Sequence, residues 1–130
     1  MTIHDLDTPA MVLDLDRVEH NVARVAEYAR RHGLNLRPHT KTHKIPALGR
    51  LQLEHGASGL TVAKTTEAEV MVESGVKDLL VAYPVLGRQK VERLVRLLDR
   101  TKVTVALDSI EAAEALRGTG IGVLVEVDVG

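Results

Sequence analysis

The densest run of reactive side chains in the sequence is Arg37-Pro38-His39-Thr40-Lys41-Thr42-His43-Lys44. Alternate residues of an extended strand share a face, so Asn35, Arg37, His39 and Lys41 point one way while Leu34, Leu36, Pro38 and Thr40 point the other. A lysine at the end of such a polar face can become a nucleophile. If desolvation and neighbouring positive charge lower its pKa, the neutral amine attacks a carbonyl and forms a Schiff base. Arg37 and a protonated His39 would supply that charge to Lys41. Two other readings compete on spacing alone. Basic residues at a strand end commonly form a solvated turn. His39 and His43, four residues apart, would align as metal ligands on a helix, but Pro38 and the strand pattern argue against a helix here.

Other polar positions are weaker candidates. Glu126 and Asp128 share a face with Leu124, opposite Val123, Val125 and Val127. If the valines meet helices, both carboxylates point inward, as a general acid/base pair or as internal ion-pair partners of Arg37 or a lysine. Tyr83 ends a strand on the face of Leu79 and Val81, which favours packing. His4, His20, His32 and His55 read as surface or helix-end residues.

The elements that position these groups alternate in period. Thr8 to Leu13 reads as a strand. A helix capped by Asp14 or Asp16 runs to His32, with Val18, Val22, Val25 and Ala29 on one face and Gly33 as its stop. Leu34 to Lys41 reads as a strand. Pro46 then sits where a helix accepts proline, and Leu48, Leu51 and His55 form its stripe before Gly56. Gly59 to Ala63 is a strand; Thr66 and Glu69 fit a capping box ahead of Ala68, Met71 and Val72, ending at Gly75. Asp78 to Tyr83 is a strand closed by Pro84. A helix over Gln89 to Asp99 presents Val91, Leu94, Val95 and Leu98. Thr101 to Leu107 is a strand, Asp108 or Ser109 caps a helix to Arg117, Gly118 and Gly120 break it, and Gly122 to Val129 is a last strand.

About five strand–helix alternations after a leading strand predict a parallel sheet covered by helices. An open doubly wound sheet and part of a (β/α)8 barrel both fit; a whole barrel needs about 250 residues. Because the sequence ends at Gly130 on a bare valine-rich strand, the expectation is the first part of a barrel. The polar face of 34–41 would then line its C-terminal mouth.

Composition narrows the function classes. The 130 residues are 45% hydrophobic and 27% charged, a balance that supports one packed domain. A net charge of −1 and only two aromatic residues, both tyrosine, speak against nucleic-acid binding. With no cysteine, thiolate chemistry and disulfides are excluded. The N-terminus lacks a signal-peptide pattern and no apolar run is long enough for a membrane span, so a cytoplasmic protein with no membrane partner is expected.

The strings Asp7-Thr8-Pro9-Ala10-Met11-Val12-Leu13-Asp14-Leu15-Asp16, Arg37-Pro38-His39-Thr40-Lys41-Thr42-His43-Lys44, Ala63-Lys64-Thr65-Thr66-Glu67-Ala68-Glu69 and Val125-Glu126-Val127-Asp128-Val129-Gly130 occur in that order. Together they resemble the D-threonine aldolase and D-serine dehydratase family, within the alanine racemase N-terminal domain group. The resemblance implies an α/β fold, a partial TIM barrel spanning about five β/α units. By the same resemblance residues 1–130 are the N-terminal part of a pyridoxal-phosphate-binding barrel, with the rest of the barrel and a C-terminal β-domain lying outside them. Lys41 matches the cofactor lysine, Lys44 is the alternative, and His39 and Arg37 join Lys41 as cofactor-binding residues. The implied activity is a pyridoxal-phosphate lyase acting on small D-3-hydroxy-amino acids, of D-threonine aldolase type, through a Schiff base at Lys41. D-serine dehydration, racemisation and non-catalytic cofactor homeostasis remain alternatives. The resemblance also implies a homodimer for the full-length parent and leaves room there for a divalent metal; no metal ligand is assigned within this sequence.

Overall fold

The computed structural model describes residues 2–130. Its first regular helix, α1 (Leu15–Arg31), starts where the sequence places a cap: the Asp14 carboxylate accepts a hydrogen bond from the Arg17 N–H at 3.1 Å. It ends before Gly33, whose φ of +63° is the left-handed geometry a chain uses to leave a helix. Then come α2 (Pro46–Glu54), β1 (Leu60–Val62), α3 (Thr65–Met71), β2 (Asp78–Val81), α4 (Arg88–Val95), β3 (Lys102–Leu107), α5 (Ile110–Leu116) and β4 (Gly122–Val125). Ser109 caps α5 through the Ala112 N–H, so the choice between Asp108 and Ser109 resolves to the serine.

The four strands are parallel and lie in chain order, β1-β2-β3-β4. That order decides between the two architectures. A doubly wound sheet reverses direction at a switch point and takes helices on both faces. Here each crossover steps the same way, and right-handed crossovers then put every covering helix on one face. The sheet is an arc of a barrel. Its helix-side face carries Leu60 and Val62, Leu79 and Val81, and Val103, Val105 and Leu107. These pack with Ala68, Met71, Val72, Leu94, Ala112 and Leu116 in one buried core.

Several expected elements differ. Thr8 to Leu13 forms no strand: it finds no pairing partner, and Met11, Val12 and Leu13 are exposed. The segment 34–41 shrinks to one parallel bridge, His39 to Thr61. The Thr61 N–H donates to the Pro38 carbonyl and the Thr40 N–H to the Thr61 carbonyl, both at 2.8 Å. The next rung would need an N–H on Pro38, which has none, so the ladder stops. Leu34, on the face opposite Lys41, is 57% exposed.

The expected capping box at Thr66 and Glu69 does not form. Lys64 occupies the N-cap, and Glu67, not Glu69, reaches back to accept from the Ala63 N–H at 2.9 Å. Glu69 instead pairs with Arg93 and Arg96. The helix expected to run to Asp99 is regular only to Val95, with Leu97 taking the buried place expected of Val95. β4 ends at Val125. Among the described residues no helix is long and apolar enough to cross a membrane.

Candidate active site at the C-terminal end of the sheet

The register sorts the helix-free face into rows. Arg37 and Gly59 stand level with Asp78, which pairs with Lys102 in register. Two residues further along the strands come His39, Thr61, Leu80, Thr104 and Gly122. Two residues further again the row holds Ala63, Ala82, Ala106 and Leu124, and at this level Lys41 leaves the sheet into a turn. Three alanines in succession beside an exposed lysine leave room where bulky branched residues would ordinarily fill a barrel layer.

Each side chain around Lys41 is held by a short connection. Thr40, only 1% exposed, is fixed to the Thr61 carbonyl by its backbone N–H and by its hydroxyl at 3.1 Å. The Lys41 N–H donates to Nδ1 of His39 at 3.3 Å, which leaves the proton of the neutral imidazole on Nε2. Burial and the neighbouring Lys41 charge hold His39 below the ordinary imidazole range, with Glu67 pulling the other way. At neutral pH His39 is therefore a neutral donor facing the barrel interior. Lys41 is exposed, and among the described residues no carboxylate lies within ion-pair distance of it.

Lys44 is placed differently. Its Nζ lies 3.3 Å from Oε1 of Glu67, whose side chain is buried. Burial works against the charged carboxylate, but hydrogen bonds from the Ala63 N–H and Lys44 outweigh it and keep Glu67 below the usual carboxylate range. Glu67 was not among the residues singled out from the sequence. Its signal was available: it stands third in a helix whose buried stripe is Ala68, Met71 and Val72.

The structure brings His39 and Lys41 together but takes Arg37 elsewhere. The Arg37 guanidinium donates to Asp78 at 2.7 Å, at the N-terminal end of β2, two rows below Lys41. Glu126 and Asp128 lie beyond β4, both exposed, and neither pairs with Arg37 or a lysine, because Asp78 has taken that role. Tyr83, expected to pack, is 63% exposed, since β2 ends at Val81 and the chain has already turned away. It lines a cavity of about 530 Å³ with Ala63, Lys64, Lys90 and Arg93.

His43 is held in the α2 approach, where its Nδ1 accepts the Ile45 N–H at 3.0 Å. Burial lowers its pKa, partly offset by Gln52 and Ile45. The spacing of His39 and His43 is thus spent on two backbone hydrogen bonds. Among the described residues no three His, Asp or Glu side chains cluster as metal ligands.

These two imidazoles set a pH dependence. Both have folded pKa values below the unfolded 6.5, so below that value the unfolded chain binds more protons than the folded one. Their contribution is complete above 6.5 and declines as pH falls toward the folded values. The urea midpoint should hold steady from about pH 8 to about pH 7 and drop by about pH 5.5, with a smaller drop in His43→Gln. A midpoint unchanged over that interval would remove the assignment. Glu67 acts in a lower window, its contribution present above 4.5 and lost as pH falls through its depressed folded value.

Comparison with known proteins agrees with the arc. The sequence profile described as alanine racemase, N-terminal domain, matches residues 13–130. The 3-hydroxy-D-aspartate aldolase of Paracoccus denitrificans is 37% identical over 97% of this chain and 35% of its own length. The crystal structure of D-threonine aldolase from Filomicrobium marinum superposes with a TM-score of 0.89 at 41% identity, covering 98% of this chain and 36% of that one. A metal-free form of a D-threo-3-hydroxyaspartate dehydratase mutant gives a TM-score of 0.83 at 35% identity, over 95% of this chain and 34% of that one. The chain spans about a third of the length of the curated relatives it matches.

Proposed function

The chain belongs to the alanine racemase N-terminal domain family, and from that membership we propose that it forms the first arc of a pyridoxal-phosphate barrel in a lyase acting on D-3-hydroxy-amino acids. Residues 1–130 would be the N-terminal part of that barrel. The remaining units and a C-terminal β-domain would lie in the further length its relatives possess. The observation that carries the reading is Lys41: an exposed amine with no carboxylate within ion-pair distance among the described residues, at the C-terminal end of a helix-free sheet face, beside a row of three alanines. Barrel enzymes place their chemistry at that end.

The residues fit the cofactor's aldehyde. Lys41 Nζ would hold the cofactor through its aldehyde, and Lys44, already committed to Glu67, is the poorer candidate. When bound, pyridoxal phosphate supplies an electron sink for breaking a bond at the substrate Cα. His39 contributes a neutral N–H donor on the interior face, and the alanine row contributes space for a planar ring. Arg37 has no place in this constellation while it pairs with Asp78. A relative described in a metal-free form supports a divalent metal as a second requirement of the whole protein.

The names of the relatives favour aldol cleavage and dehydration over racemisation. The test is to incubate the full-length protein, loaded with pyridoxal phosphate, with D-threonine, 3-hydroxy-D-aspartate and D-serine, with and without divalent metal. Aldolase action yields glycine and an aldehyde; dehydratase action yields a keto acid and ammonia. Cofactor bound covalently with no product from any of the three would overturn the lyase reading in favour of cofactor homeostasis.

A further inference from the structure

We propose that Glu67 is a positioning residue for Lys41, acting through Lys44 to clamp the 40–44 turn that presents the amine; the inference rests on the reading of Lys41 as the cofactor anchor. Lys41 opens a turn fastened at both ends to one segment of chain. At the near end Thr40 is tied to the Thr61 carbonyl by two hydrogen bonds, at 2.8 and 3.1 Å. The turn closes with the Lys44 N–H donating to the Thr40 carbonyl at 2.8 Å. At the far end Lys44 adopts φ +53°, the chain's one left-handed non-glycine residue among those described. A side chain with a Cβ is strained in that conformation. Something must hold it there.

Glu67 is the group placed to do so. Its carboxylate is 6% exposed as a residue, with Oε2 accepting the Ala63 N–H at 2.9 Å and Oε1 facing Lys44 Nζ at 3.3 Å. One buried carboxylate thereby joins the left-handed end of the turn to Ala63, the nearest member of the alanine row. Glu67 is buried while the Lys44 side chain is half-exposed, and removing the cation would leave the buried carboxylate without its charge partner. Between the two anchors lie only Lys41, Thr42 and His43. Released at the far end, the turn samples other conformers, and the Lys41 amine spends less time where a planar aldehyde can meet it.

The test follows capture of pyridoxal phosphate by the full-length protein, read as the visible absorbance of the pyridoxal–lysine bond, beside thermal unfolding of each variant. Glu67→Gln keeps the acceptor for Ala63 but removes the charge, and Lys44→Ala removes the cation. Each is expected to slow capture about tenfold, matching roughly 1.4 kcal/mol of lost restraint, and the double variant should be no worse than the poorer single. Lys44→Gly, at ease with positive φ, should recover most of what Lys44→Ala loses. A purely structural role would lower the unfolding midpoint without that recovery. Capture at the wild-type rate in both singles, additive losses in the double, or equal capture by Lys44→Gly and Lys44→Ala would each overturn the clamp. If Glu67→Gln does not fold, the glycine–alanine comparison still decides. Wild-type protein that never develops the absorbance, or Lys41→Ala that keeps it, would instead defeat the underlying reading.

Discussion

Lys41→Ala is expected to abolish covalent attachment of pyridoxal phosphate outright. The argument is one of exclusion as much as of placement. Three lysines stand near the C-terminal ends of the first strands. Lys44 is committed to a buried carboxylate at 3.3 Å. Lys64 stands at the N-cap position of α3 and lines the cavity with Val81, Tyr83 and Val85. Of the three, Lys41 alone sits exposed in the turn directly after His39, bonded to it through its N–H, with no carboxylate within ion-pair distance among the described residues. The check is direct. Borohydride reduction of the loaded full-length protein converts the carbon–nitrogen double bond to a stable secondary amine, and peptide mass mapping should place the pyridoxyl group on Lys41. In Lys41→Ala both the absorbance and the modified peptide should disappear, while Lys44→Ala keeps them at reduced rate. Label on another lysine, or undiminished absorbance in Lys41→Ala, would sink the assignment.

Local signals and long-range signals fared differently in the sequence. The period of apolar residues, the cap at Asp14 and the stop at Gly33 act within a few residues of one another, and α1 lies where they put it. The same holds for the buried stripe Ala68, Met71, Val72 and for Ser109. Strand pairing is a property of distant segments. Thr8 to Leu13 has strand composition but no neighbour, so it remains unpaired. Barrel arc and open sheet share one alternation of elements; only the order β1-β2-β3-β4 separates them. The closeness of Lys41 to His39 was legible because alternation along 34–41 survives even where Pro38 interrupts the ladder. The same alternation correctly gave Arg37 the interior face and wrongly gave it the same neighbours. A strand advances roughly 3.3 Å per residue, so residues on one face can belong to different rows, and Asp78 was invisible from the sequence around Arg37. The alanine row was hidden for the same reason: Ala63, Ala82 and Ala106 become neighbours only once the register is set.

Gly59→Ala should be the most damaging small substitution at the opposite end of the sheet. A Cβ built on Gly59 would stand 2.3 Å from the Asp78 carbonyl oxygen and 3.1 Å from Nε of Arg37. Backbone cannot swing aside as a side-chain terminus can, so β1 and β2 must separate where they begin. Overpacking of this kind costs about 3 kcal/mol, and for a domain of this size the unfolding midpoint should fall by roughly 10 °C. The displacement also strains the 2.7 Å Arg37–Asp78 contact, yet that partly exposed pair accounts for little of the loss. Arg37→Ala alone should cost about 1 kcal/mol or less. A midpoint for Gly59→Ala within about 2 °C of wild type would show that the strands yield easily. The sharper expectation concerns function. The Gly59 row lies two rows below Lys41, at the N-terminal end of the strands, where barrels keep stability rather than chemistry. Below its lowered midpoint, folded Gly59→Ala should capture pyridoxal phosphate at close to the wild-type rate, whereas Glu67→Gln should capture it slowly. That contrast would assign Arg37, Gly59 and Asp78 to holding the sheet together, and His39, Lys41, Lys44 and Glu67 to presenting the amine.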